Sequence, residues 1–147
     1  MGKVAAMILA GGRGRRMDML CDVRPKPILP FAGRFRVIDF SLSNCIHSQV
    51  GTVGVLTDYQ RSHIASYLTQ WSLANAGKGN FQVLEPGTGS YKGTADAVYQ
   101  NLDFISKLAA ENLLILAGDH VYRMDYRGSL YLWCIHAPSP LQPNYLY

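Results

Sequence analysis

The 147-residue sequence is poor in three things: cysteine, charge and long apolar runs. Its three cysteines, Cys21, Cys45 and Cys134, are odd in number, far apart and nowhere spaced Cys-x-x-Cys. Such a set builds neither a disulfide framework nor a zinc site, and it suits a reducing compartment. Charged residues are 16% of the chain, and Lys+Arg exceed Asp+Glu by only 14 to 10. An excess that small and scattered argues against nucleic acid, though it suits a phosphate-bearing ligand. No apolar stretch approaches the roughly 18 residues of a membrane span. Met1-Gly2-Lys3 runs straight into a strand-like segment rather than a signal peptide. Ala6 stands where myristoylation after Gly2 wants Ser or Thr. The chain therefore reads as cytoplasmic, with neither a membrane nor a nucleic-acid partner. At 48% apolar residues it is no disordered, collagenous or coiled-coil sequence, and its length allows one domain with a core.

What is present alternates. Val4 to Leu9 is a continuous apolar run closed by Ala10-Gly11-Gly12, the pattern of a strand buried on both faces of a parallel sheet. Pro25, Pro27 and Pro30 predict an extended stretch around Lys26. Ile38, Leu42, Cys45, Ile46 and Val50 follow a helical stripe, with Gly51 as its stop. Thr52 to Leu56 is a second strand, and Ser62 is a candidate cap for a helix carrying Ile64, Ala65, Leu68 and Trp71. Phe81 to Leu84 is a third strand, followed by a Gly/Pro/Ser-rich loop from Glu85 to Lys92. One helix is expected from Thr94, with Ala95, Val98, Leu102, Ile105, Leu108 and Ala109 on one face. Asn112 to Ala117 is a fourth strand, closed by Gly118-Asp119-His120. Strands alternating with helices predict an α/β, Rossmann-like, mostly parallel sheet. Residues 127–147, with three prolines among the last ten, carry no clean period and predict irregular structure or a short helix.

Chemistry has few places to sit. Leu9, Ala10, Gly11, Gly12 and Gly14 form a glycine-rich turn after a buried strand, where backbone N–H groups can meet phosphate oxygens beside Arg13, Arg15 and Arg16. The turn matches neither G-x-G-x-x-G nor a P-loop, and a plain glycine turn with solvated arginines explains it equally well. Lys26, held between Pro25 and Pro27, is either a point charge aimed at the same phosphates or an exposed loop lysine. Asp119 follows an apolar strand, so it belongs at the carboxyl edge of the sheet, as a Mg²⁺ ligand or as a cap; Asp125 is a weaker version of it. Gly93 and Thr94 open a helix whose free N–H groups suit a ligand edge, or simply start a helix. His47, His63 and His136 lack partners at metal spacing, and only His120 adjoins a candidate site. Trp71 and Trp133 read as packing residues.

Taken together, ILAGGRGRRM at 8–17, RPKPILPFAGRFRVIDFSLSNCIHS at 24–48, YKGTADAVYQNLDFI at 91–105 and ILAGDHVYRMDY at 115–126 resemble the sugar-phosphate nucleotidyltransferases. The nearest resemblance is to the ADP-glucose pyrophosphorylase (glucose-1-phosphate adenylyltransferase) family. It spans residues 3 to about 126 and is most specific in FRVIDFSLSNC. It implies a Rossmann-like domain and the reaction of ATP with glucose 1-phosphate to ADP-glucose and pyrophosphate, with Mg²⁺, in glycogen or starch synthesis. By resemblance, Gly11, Gly12 and Gly14 carry the nucleotide phosphates and Arg16 binds the leaving pyrophosphate. Lys26 lies near the reacting phosphates, Tyr91 contacts the sugar phosphate, Gly93 the base, and Asp119 the metal. Arg24 and Arg36 match positions tied to effector binding.

The departures are Arg15 for Thr, Met17 for Leu, Val23 for Lys, and Glu85-Pro86-Gly87 in a short base-reading loop. The family also continues into a second metal aspartate, sugar-phosphate residues and a β-helix domain. A partial nucleotidyltransferase domain over 1–126 with a divergent tail over 127–147 is therefore expected, poorly active or inactive alone. The alternative is a non-catalytic nucleotide-binding or regulatory module that pairs, through an open sheet edge, with itself or a longer relative. A different base or sugar is a third reading, which Glu85 keeps open.

Overall fold

The computed structural model describes residues 3–12, 24–87, 89–128 and, as backbone, 144–146. Gly14, Arg16, the other arginines of that turn, and most of the tail lie outside the described residues. A parallel sheet runs in the order β5-β4-β1-β6-β7, from Asn80–Leu84, Thr52–Leu56, Val4–Leu9, Asn112–Ala117 and Asn144–Leu146. Β1 sits at its centre, which explains its unbroken apolar run. Ala6 and Ile8 face one layer and Ala5 and Met7 the other, and all four are shut from solvent.

The first layer holds α1 (Ile38–His47) and α2 (Arg61–Ala74) over Ile8, Val53 and Val55. Trp71 packs edge-on against Phe81, centroids 4.9 Å apart, as a packing residue. The second holds α3 (Thr94–Tyr99) and α4 (Leu102–Leu108) over Met7 and Leu56. Each fully buried side chain of this kind contributes about 1.5–3 kcal/mol, so Leu42→Ala in α1 would cost about 2–5 kcal/mol. No helix among the described residues is long and apolar enough to cross a membrane.

Several local expectations need correction. The proline-rich stretch is not extended at Lys26, because Lys26–Ile28 form a 3-10 turn with Ile28 N–H bonded to Pro25 O at 3.0 Å. Pro27 fits there because a first-turn N–H has no partner to lose. A two-stranded hairpin, β2 (Pro30–Phe31) with β3 (Phe35–Arg36), follows. Helix α1 stops at His47 rather than near Gly51: Gln49, not glycine, takes the left-handed conformation at φ 58°. Gln49 N–H bonds Ile46 O and Val50 N–H bonds Cys45 O, each at 3.0 Å, which completes the helix-closing motif around buried Val50. Ser62 is not the cap of α2, which begins one residue earlier after left-handed Gln60.

The single helix expected from Thr94 breaks at Asn101. Its side-chain amide donates to Ala97 O at 2.9 Å and to the Tyr91 hydroxyl at 3.0 Å, a tertiary contact that no periodicity reveals. The tail does contain a strand: β7 pairs parallel with β6, Asn112 opposite Asn144 and Leu114 opposite Leu146. Ladder hydrogen bonds satisfy the edge of β6 whatever the side-chain pattern of the added segment.

Candidate functional site

Strands β1, β4 and β6 end side by side at Leu9, Leu56 and Ala117. Chain order reverses here, since β4 leaves β1 on one side and β6 lies on the other, and open α/β sheets hold ligands at such a reversal. Just beyond the three strand ends, Gly11-Gly12, Asp58 and Asp119 line one cleft of about 520 Å³. Two glycines permit the convergence. A Cβ on Gly118 would lie 2.9 Å from Leu9 O, and one on Gly11 would lie 3.1 Å from Asp58 N.

The cleft gathers Leu9, Ala10, Gly11, Gly12, Lys26, Tyr91, Gly93, Thr94 and Asp119 from four separate segments. Lys26 Nζ donates to Asp119 Oδ2 at 2.6 Å across 93 positions of sequence, each side chain about one-third exposed. His120 Nε2 lies 3.7 Å from the other oxygen, Oδ1. Burial pushes the Asp119 carboxyl upward, but the Lys26 hydrogen bond and charge, with His120 behind them, outweigh it and hold the carboxyl below 3.8. Lys26 reaches this position from the 3-10 turn, whose Pro25 and Pro27 fix its backbone.

Tyr91 is fixed at both ends. Its N–H donates to Asp58 Oδ2 at 3.3 Å, and its hydroxyl donates to Leu84 O at 3.3 Å while accepting from Asn101. Burial raises that hydroxyl above its ordinary 10.0, the Asn101 N–H opposing and Asp58 adding to the rise, so it stays a neutral hydrogen-bonding group. Gly93 stands before α3 with no Cβ to fill the entrance, and Thr94 opens the helix.

Arg24 and Arg36 are not in this cleft. They line a separate hollow of about 460 Å³ with His63 and Tyr67. Arg36 lies 6.0 Å from the Tyr67 ring centroid, and the Tyr67 hydroxyl bonds buried Asp39 at 2.7 Å. Asp125 is likewise away from the cleft: it pairs with Arg127 at 2.6 Å, which holds its carboxyl down at about 2. Asp58 is the cleft residue that the sequence reading passed over. Its signal was the one that exposed Asp119, a carboxylate just beyond an apolar parallel strand. Among the described residues no three His, Cys, Asp or Glu side chains gather where they could hold a metal ion. A carboxylate such as Asp119 still fits Mg²⁺, which takes one or two protein carboxylates and completes its shell with water and substrate phosphates.

The fold and this cleft belong to a known class: the chain is a member of the nucleotidyl transferase family, whose sequence model matches residues 5–132. It is 49% identical over 129 residues to a glucose-1-phosphate adenylyltransferase of Desulfitobacterium hafniense, covering 82% of this chain and 32% of that one. A glucose-1-phosphate adenylyltransferase of Pectobacterium carotovorum is 47% identical over 135 residues, 87% of this chain and 32% of that one. The chain thus spans about a third of the length of these curated relatives. A crystal structure from Bacillus anthracis, assigned as a glucose-1-phosphate thymidylyltransferase, superposes with a TM-score of 0.72 over 90% of this chain and 50% of that one. At 20% identity that likeness shares the fold.

Proposed function

We propose that this chain is the nucleotide-binding part of a glucose-1-phosphate adenylyltransferase, taking ATP with Mg²⁺ in the cleft and directing it toward glucose 1-phosphate. The observation that carries the reading is the meeting of Lys26 and Asp119 at the mouth of a glycine-lined cleft. In the transfer, an oxygen of the sugar phosphate attacks the α-phosphorus in line and pyrophosphate leaves, so catalysis consists of placement and charge stabilisation. Backbone N–H groups at Gly11 and Gly12 meet phosphate oxygens without a side chain intervening. Lys26 supplies a cation that, freed from Asp119, turns to the negative charge building on the phosphates. Arg16, by resemblance, holds the departing pyrophosphate. Tyr91, by resemblance, contacts the sugar phosphate, to which its neutral hydroxyl would donate by turning from Leu84 O, and Gly93-Thr94 present an open rim to the base. Asp119 would hold the Mg²⁺ ion, which neutralises phosphate charge when bound. Arg24 and Arg36, in their own hollow, form an anion site for an effector. ATP and sugar phosphates are cytoplasmic solutes, which fits the cysteine usage.

Calorimetric titration with ATP and Mg²⁺ tests this, beside Asp119→Ala and Arg16→Ala. Saturable binding weakened by both substitutions is the expected result, with little or no ADP-glucose formed by this chain alone on adding glucose 1-phosphate. Appreciable ADP-glucose formation would set aside the alternative of a non-catalytic nucleotide-binding module. No heat from a folded chain with ATP or GTP would end the nucleotide reading.

A further inference from the structure

Arg61 opens α2, directly after left-handed Gln60, and its guanidinium reaches the turn after β4 and two points of the loop after β5. Nε donates to Asp58 O at 3.0 Å and Nη2 to Gly89 O at 3.2 Å. Nη2 also lies 3.6 Å from Asp58 Oδ1, and Nη1 lies 3.6 Å from Glu85 Oε2. The two carbonyl bonds fix the plane of the fork. The two carboxylates stand beyond direct hydrogen-bond distance and add charge attraction. Asp58 thereby has one oxygen facing the cation and the other under the Tyr91 N–H. Glu85 follows β5, so the same cation ties the end of that strand to Gly89 and to the turn after β4.

We propose that Arg61 is a positioning residue for the cleft: it orients Asp58 beneath the Tyr91 amide and so sets the rim formed by Tyr91 and Gly93. The proposal rests on reading that cleft as the nucleotide site, and it places the determinant of rim geometry outside the cleft itself, on the first turn of α2. Methionine at this position keeps the stem and loses every donor, leaving Asp58 free to leave the Tyr91 amide. Lysine keeps the charge but cannot hold two carbonyls and face two carboxylates at once.

The test is amide hydrogen exchange at Tyr91, measured on ¹⁵N-labelled wild type, Arg61→Met and Arg61→Lys, with Mg-ATP titrations of the same proteins. Arg61→Met should speed Tyr91 exchange about tenfold, the loss of roughly one charged hydrogen bond, while the strand amides of β1 keep their protection. Mg-ATP affinity should fall about as much, and Arg61→Lys should lie between on both measures. Tyr91 exchange unchanged in Arg61→Met overturns the proposal. Altered exchange with unaltered Mg-ATP affinity also overturns it, since the rim would then not depend on Arg61 for its ligand. Wild type that binds no nucleotide refutes the nucleotide reading, and with it this role for Arg61, while the exchange data still decide the link to Tyr91.

Discussion

Lys26→Met is the most informative single perturbation, because stability and ligand binding should respond by different amounts and for different reasons. Lys26 and Asp119 form a 2.6 Å contact with both side chains about one-third exposed. Water screens such a pair, so its loss should cost folding no more than about 1 kcal/mol. The pH dependence has a definite sign. Asp119 is held below its ordinary 3.8 in the folded protein. The pair therefore stabilises the fold fully above that value, and the stabilisation disappears as pH falls below it. The gap between wild type and Lys26→Met should be constant from neutral to weakly acidic pH and should close in stronger acid.

Binding should suffer more. A cation about 4 Å from a phosphate charge is worth between about 1 and 4 kcal/mol as the effective dielectric drops from water to a protein surface. At the protein-surface end of that range, subtracting about 1 kcal/mol for the pair given up with Asp119 leaves about 3 kcal/mol, or roughly 150-fold in Kd for Mg-ATP. Calorimetry on the variant, with urea unfolding at neutral and acid pH, reads both quantities. Equal Mg-ATP affinity in variant and wild type would refute the phosphate role of Lys26. A stability gap that persists undiminished in acid would refute the pairing with Asp119.

Gly118→Ala should destabilise by about 1–3 kcal/mol in urea unfolding, because its new methyl meets the Leu9 carbonyl at 2.9 Å and must prise β1 from β6 beside the cleft. Tyr67→Phe strips buried Asp39 of its hydroxyl partner at 2.7 Å, leaving the Arg36 N–H at 2.8 Å; thermal unfolding should register a loss of about 1.5–3 kcal/mol. Cys45 is buried, and desolvation pushes its thiol up to about 12. Peptide mapping after alkylation at pH 8 should find Cys45 unlabelled in the native protein and labelled in urea; native labelling would contradict its burial.

The divide between what the sequence discloses and what it withholds follows the range of the interactions. Val4–Leu9 is legible as a central strand because both faces of every residue must be dry, and that leaves an unbroken apolar run. Asp119 is legible because its place is set by the strand directly before it, and Asp58 obeys the same rule once Thr52–Leu56 is accepted as parallel. Lys26 is legible from its two prolines, although those prolines shape a 3-10 turn rather than an extended stretch. Gln49 closing α1 is not legible, since its left-handed backbone answers to burial of Val50 rather than to glycine's freedom. The break at Asn101 and the reach of Arg61 are hidden for a stronger reason. Each is fixed by partners 10 to 33 positions away that chain topology delivers: Tyr91 to Asn101, Gly89 to Arg61, and Asp58 to the Tyr91 amide. Site residues carried on a strand's own end can thus be named from the strand. The residues that hold those in place emerge only when β4 and β5 lie side by side, with Thr57 N–H bonded to Leu84 O at 2.9 Å.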